Sequence, residues 1–227
     1  MKILHVSDLH ARPAWFKWLI RESSKVDLVC ISGDLLDLRV DCFNGSAEAQ
    51  IKMVLNQLTQ LRAPFALCSG NHDSISSRGV ESARWTEPLR KRGGFIDGSV
   101  FWFQDYKFRC VPWGEPLPVV APEDFWLIHA PPLGVYTSQA MDGSSHGCHE
   151  LREVCRSAAG PLFALSGHVH SPRRFWGMLG RTISLNPGWR DHPFQPSSII
   201  IDMSNRTVTH WPTGLLGVKN ATFRFAE

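Results

Sequence analysis

Five short polar segments carry residue types able to do metal or acid–base chemistry: Asp8-Leu9-His10, Gly33-Asp34, Gly70-Asn71-His72-Asp73, His129 and Gly167-His168-Val169-His170. Carboxylate, imidazole and amide oxygen together suit divalent Mn, Fe or Zn, and no cysteine falls in these segments to argue for a thiolate site. Taken singly, each has an ordinary explanation. An Asp-x-His after a strand is commonly a turn with a surface histidine, Gly-Asp is commonly just a turn, and a lone His129 on an apolar strand is commonly a satisfied core residue. Gly-His-Val-His is more pointed, because in an extended segment both imidazoles reach one face and Gly167 leaves room for close approach.

Their shared position sets the five apart. Each follows an apolar run that reads as a buried strand, at residues 3–6, 27–32, 65–68, 125–128 and 162–165. In open α/β sheets the loops at the C-terminal strand ends converge on a ligand crevice. Segments far apart in sequence are thereby delivered to one place.

The intervening stretches supply the scaffold. Ile51, Val54, Leu55, Leu58 and Leu61 show the i, i+3, i+4, i+7 spacing of an amphipathic helix over residues 47–61. Trp15, Phe16, Trp18, Leu19 and Ile20 suit one face of another helix at 14–22. Strand, helix, strand, helix, strand with continuous apolar strands predicts parallel units buried on both faces. Further along, a helix is expected in 80–92 and short strands at 95–96, 100–103 and 108–111. A helix at 148–158 and strands at 182–185, 198–201 and 207–211 follow. The fold class expected is α/β, two packed mixed β-sheets flanked by helices, in a single domain over 1–227 without a separate cap.

Composition limits the alternatives. The 227 residues suffice for one substantial core. Hydrophobic residues at 43% and charged residues at 20% are ordinary for a soluble globular protein. A formal charge of +3 does not demand a polyanionic partner, so nucleic acid is possible but not favoured. No apolar run approaches the roughly 18 residues of a membrane span, and the N-terminus lacks the apolar region of a signal peptide. The expected location is cytoplasmic, with no membrane partner. The six cysteines include no Cys-x-x-Cys pair. Cys30 and Cys68 sit in apolar runs, so free and mostly buried thiols are expected.

Several residues near these segments have two readings. Arg12 contacts phosphate or is a solvated loop arginine, and His146, on a Gly/Ser-rich loop, reaches substrate or faces solvent. His5, His149 and His210 read as structural or exposed. The basic group Arg78, Arg84, Arg90, Lys91 and Arg92 reads as a solvated helix face, since no aromatic platform interleaves it. Trp113, between Pro112 and Gly114, is placed to wall a pocket.

The order Asp-x-His, Gly-Asp-x-x-Asp (Gly33 to Asp37), Gly-Asn-His-Asp, His, Gly-His-x-His resembles the calcineurin-like metallophosphoesterase superfamily, over residues 8 to 170. The resemblance implies two divalent metal ions, Mn or Fe and alternatively Zn. Asp8, His10, Asp34 and His170 would hold one, and Asp34, Asn71, His129 and His168 the other, with Asp34 bridging. His72 would face the leaving group, oriented by Asp37 or Asp73. His129-Ala130-Pro131-Pro132-Leu133-Gly134, the 143–147 loop and Asn186-Pro187-Gly188 resemble a compact phosphodiesterase-type branch, although Trp189 stands where many relatives carry a small residue. The function implied is hydrolysis of phosphodiesters or small organic phosphates through a dinuclear centre and a bridging hydroxide. Two divalent ions, two carboxylates and one hydroxide leave about one positive charge for an anionic phosphate. The alternatives are a nuclease or protein phosphatase of the same superfamily, or a non-catalytic scaffold. The scaffold is disfavoured by the retention of His72, and the protein phosphatases by Asp73, where they resemble Gly-Asn-His-Glu.

Overall fold

Strands and helices alternate through the first part of the computed structural model, which describes residues 1–37, 45–77, 80–118, 123–212 and 220–226. β1 (Lys2–Val6), α1 (Pro13–Ser23), β2 (Leu28–Ser32), α2 (Ala47–Leu58) and β3 (Phe65–Cys68) come first. β4 (Ile75–Ser77) and β5 (Val80–Ser82) pair antiparallel ahead of a 3-10 helix at Arg84–Arg92. β6 (Val100–Phe103), β7 (Tyr106–Cys110) and β8 (Phe125–Leu127) lead to α3 (His149–Arg156) and β9 (Phe163–Leu165). β10 (Trp176–Leu179), β11 (Thr182–Leu185), β12 (Ser198–Asp202), β13 (Thr207–Trp211) and β14 (Ala221–Arg224) follow.

Two six-stranded sheets result, in the orders β14-β13-β12-β1-β2-β3 and β10-β11-β9-β8-β7-β6. Both are mixed: β1, β2 and β3 run parallel, as do β7, β8, β9 and β11, while the remaining pairs are antiparallel. The side-chain period of two sorts each strand between two cores. Leu28 and Cys30 face the other sheet and meet Phe108, Phe125 and Phe163. Val29 and Ile31 face outward onto Trp15, Phe16 and Leu19 of α1 and Val54 and Leu58 of α2. On the second sheet Trp126 and Ile128 turn outward onto Leu151 and Cys155 of α3.

Between the sheets, Phe101, Phe108, Phe125 and Phe163 form a ladder with successive ring centroids 5.2, 4.6 and 4.8 Å apart. Burying each such ring contributes roughly 1.5–3 kcal/mol. The ladder lines the inner face of one sheet, and its packing against Leu28, Cys30 and Ala66 of the other sets the separation of the sheets, and so that of the loops that leave β1–β3 from those that leave β8 and β9. The α/β sandwich with helices on both outer faces is the architecture expected from the sequence.

Some elements differ from expectation. Residues 80–92 are not one helix; β5 occupies the start, and Arg84–Arg92 is 3-10 rather than α. Pro88 inside it removes an amide and crowds the preceding carbonyl, which denies the regular α ladder. Phe95 makes only an isolated bridge to Ala66. β10 and β14 were not expected from the sequence. Cys30, Cys68, Cys110 and Cys155 are free and buried, Cys148 is free and half-buried, and Cys42 lies outside the described residues. No helix among the described residues is long and apolar enough to cross a membrane.

Candidate functional site

The segments after β1, β2, β3, β8 and β9 meet at one edge of the sandwich. Their backbones turn sharply there. Asp8, His10, Asp34 and His168 all have left-handed φ, at 55°, 43°, 53° and 66°, a conformation that costs an L-residue about 1–2 kcal/mol. Cross-loop hydrogen bonds hold it in place. The amides of Asp8, His10 and Ala11 donate to the carbonyls of Gly33, Asp34 and Leu35 at 3.0, 2.9 and 2.7 Å. The loop after β1 is thus laced to the loop after β2. A Cβ on Gly167 would collide with Ser7 Oγ and the Asp8 carboxylate, and one on Gly70 with Asp34. Close approach of the loops therefore requires glycine at both positions.

Within this frame the donor atoms converge. Asp8, His10 and His170 form one group whose candidate ligand atoms lie within 4.8 Å of one another, and Asp8, Asp34 and His129 form a second. His10 Nε2 is 3.2 Å from His170 Nε2, and His170 Nε2 is 3.4 Å from Asp8 Oδ1. His129 Nε2 is 3.2 Å from Asp34 Oδ2 and 3.1 Å from Asn71 Oδ1, and His168 Nδ1 is 2.9 Å from Asn71 Oδ1. All seven residues read from the sequence as metal-ligating are therefore in one cluster.

Their protonation follows from their surroundings. Nδ1–H of His129 donates to the Ser32 carbonyl at 2.7 Å, and Nδ1–H of His10 to the Leu36 carbonyl at 3.3 Å. Each bond orients its ring and leaves Nε2 facing the cluster. Burial lowers His10, and burial with the neighbouring His129 pulls His168 down to about 4. Burial also disfavours charge on His129, but Asp34, Asp8 and the Ser32 carbonyl override it and raise that ring to about 9. Burial opposes ionisation of Asp8 and Asp34, yet the surrounding imidazoles hold both carboxyls below their ordinary values.

The donor set fits a divalent metal by its chemistry. Two oxygen acceptors, Asp34 Oδ2 and Asn71 Oδ1, lie 3.2 and 3.1 Å from the same His129 nitrogen, where a cation could take the place of the shared proton. The mix of carboxylate, amide oxygen and imidazole is one that Mn, Fe or Zn accept.

The other sequence candidates separate clearly. His72 is half-buried with its ring edge-on to His10 at 5.1 Å, and its ring nitrogen groups with His10 and Asp37 within 4.8 Å. Asp73 is fully buried and serves the backbone instead: Oδ1 accepts from Leu35 and Leu36 at 2.8 and 3.0 Å, and Oδ2 from Gly70 at 2.8 Å. Arg12 pairs with Asp191 at 2.6 Å, and its guanidinium lies 4.9 Å from the Trp15 ring and 5.0 Å from that of Trp189. His146 sits at the rim, bonded to Ser144 Oγ at 2.8 Å, with its ring 6.4 Å from that of His168. Arg84, Arg90, Lys91 and Arg92 are exposed, and Arg78 lies outside the described residues.

Sequence reasoning did not assign Asn186 a role. Its Nδ2 donates to the carbonyls of Gly167 and Val169 at 2.9 and 3.0 Å, and its Oδ1 accepts from the Gly188 amide at 2.8 Å. It therefore clamps the turn that carries His168 and His170. Trp189 then stacks on His170 with centroids 5.1 Å apart. The Asn186-Pro187-Gly188 run was visible as a motif, but the carbonyls it clamps lie 19 and 17 residues upstream and leave no local signal.

Comparison with known proteins adds an independent line. Residues 1–172 match the family described as calcineurin-like phosphoesterase. No curated protein matches the chain. One solved structure superposes with TM-score 0.63 at 12% identity, covering 99% of both chains. The protein TT1561 of Thermus thermophilus gives TM-score 0.57 at 15% identity over 98% of both chains. Purple acid phosphatase PPD1 from yellow lupin (Lupinus luteus) seeds gives TM-score 0.57 at 13% identity, over 92% of this chain and 50% of that longer one. At these identities the likeness to solved structures concerns the fold.

Proposed function

We propose that this chain, which belongs to the calcineurin-like phosphoesterase family, hydrolyses phosphodiesters at a dinuclear metal centre held by Asp8, His10, Asp34, Asn71, His129, His168 and His170. Family membership makes it a metal-dependent phosphoesterase in general. The finer reading rests on the convergence of Asp34 Oδ2 and Asn71 Oδ1 on His129 Nε2, beside the Asp8, His10 and His170 group.

When bound, two divalent ions supply Lewis acidity toward phosphoryl oxygens and bring the ionisation of a water toward neutral pH. The side chains of this protein do the rest. Asp8 and Asp34 offset cationic charge while neutral Asn71 does not, and with one hydroxide counted beside the two carboxylates the site would keep about one positive charge for an anionic phosphate. His72, protonated, donates to the departing alkoxide as general acid. Asp37, grouped with His10 and His72, orients that ring, whereas Asp73 holds the loops after β2 and β3 together. Arg12 serves by fixing Trp189 against His170, and His146 faces substrate from the rim.

A site with one net positive charge suits the single negative charge of a phosphodiester. Manganese-loaded protein is accordingly expected to hydrolyse bis(p-nitrophenyl) phosphate with higher kcat/KM than p-nitrophenyl phosphate. Both release the same leaving group, so the ratio reports the phosphate substituent. A monoester preference of about tenfold, or about 1.4 kcal/mol at the transition state, would overturn the diester reading while leaving the metal site standing.

A further inference from the structure

A groove of about 1100 Å³ runs outward from His129 and His168, between the 112–118 segment and α3. Trp113 forms its inner wall. The indole meets the His129 ring edge-on at 5.5 Å and lies 5.6 Å from the His168 ring, and the backbone beneath it is pinned by donation from its amide to Ser69 Oγ at 2.9 Å. Trp113 as a residue is 37% exposed, beside the donor cluster. Leu117, Ile128 and Val154 continue the wall as apolar surface. Among the described residues the charged side chains on it are Glu115, Glu150 and Glu153, with no lysine or arginine. Glu153 has two arginines beside it, Arg152 and Arg156, at 3.8 and 3.9 Å.

The opposite flank is built differently. There Trp189 stacks on His170, and Arg12, itself tied to Asp191, lies against its ring. One tryptophan is locked onto the cluster's histidines, and the other stands open over them at the head of an apolar groove.

We propose that this groove receives an organic substituent of the phosphodiester, that the substituent is apolar and carries no negative charge, and that Trp113 selects it. The proposal rests on the phosphodiesterase reading and adds its substrate class. Apolar walls gain from excluding water when an apolar group enters, and an indole offers a ring an offset or edge-on contact. Three carboxylates repel an added anion. A nucleic acid strand, with a charge on every nucleotide, would run against them.

The test compares two monoanionic diesters with a common leaving group, phenyl p-nitrophenyl phosphate and methyl p-nitrophenyl phosphate, on manganese-loaded full-length protein. The phenyl diester is expected to show kcat/KM higher by about tenfold or more, expressed chiefly in KM, as one hydrophobic contact allows. Trp113→Ala should bring the two substrates to near equality, and Trp113→Phe should restore most of the preference. Trp102→Ala, on an exposed position of β6, should leave the ratio as it is. Equal rates in the natural protein, or a preference that survives Trp113→Ala, would overturn the proposal. If neither diester is hydrolysed, the catalytic reading fails separately, and calorimetric titration with phenylphosphonate and methylphosphonate decides the groove. Phenylphosphonate bound about tenfold tighter, about 1.4 kcal/mol, and no longer so in Trp113→Ala, supports it; equal affinities refute it.

Discussion

The backbone amide of His72 donates to Oδ1 of Asp34 at 2.9 Å. The proposed bridging carboxylate and the proposed acid are thus coupled through the main chain, and the His72 imidazole lies edge-on to His10 at 5.1 Å.

That main-chain coupling makes two variants behave differently. His72→Ala keeps the amide, so Asp34 keeps its anchor; metal content should stay at two ions per chain while kcat falls by about 10²–10⁴, the usual worth of a positioned general acid. Asp34→Asn removes the carboxylate charge and should lose metal along with activity. Elemental analysis of both proteins checks this, and metal loss in His72→Ala would contradict the assignment.

Asn186→Asp tests the clamp. The replacement is nearly isosteric, but it turns a donor into an acceptor facing the carbonyls of Gly167 and Val169. The turn bearing His168 and His170 should loosen, and manganese affinity should fall by about 10–100-fold, the range for lost outer partners of metal ligands. Calorimetric titration with manganese measures it; unchanged affinity would remove Asn186 from the site's support.

Much of this site was legible because glycine and polar residues interrupt apolar strands at one edge, and the sheet order brings those interruptions together. The period-two sorting of Leu28, Val29, Cys30 and Ile31 was likewise implicit in a continuous apolar strand buried on both faces. Asp37 and Asp73 were not separable by sequence. Both are acidic and close to the motif, and the distinction lies in which backbone amides the turns after β2 and β3 present to Asp73. Arg12 was ambiguous for a similar reason, since Asp191 and Trp189 reach it from across the chain. The 3-10 helix was missed because Leu89 and Trp85 keep a helical spacing that Pro88 overrules in backbone terms.

His5 predicts an acid-dependent stability. It is fully buried, Nε2 bonds Ser32 Oγ at 2.7 Å, and burial pushes its pKa from 6.5 down to about 3. Between those values the unfolded chain binds the proton and the folded one does not. Its contribution to stability is therefore complete above 6.5 and is lost as pH falls toward 3. From pH 7 to pH 5 the natural protein should lose about 2 kcal/mol more than His5→Gln, at about 1.4 kcal/mol per pH unit below the unfolded pKa. Urea unfolding of both proteins at the two pH values measures the difference, in which metal contributions common to both cancel. Parallel losses would contradict the role assigned to burial.

The central claim is that seven side chains hold two metal ions, and anomalous diffraction from manganese-loaded crystals tests it most directly. The expected map has two peaks about 3.5–4 Å apart, the usual separation in two-metal sites. One should lie against Asp8, His10 and His170, the other against Asn71, His129 and His168, with Asp34 touching both. A single peak, with the remaining donors turned away from it at saturating manganese, would contradict the dinuclear account.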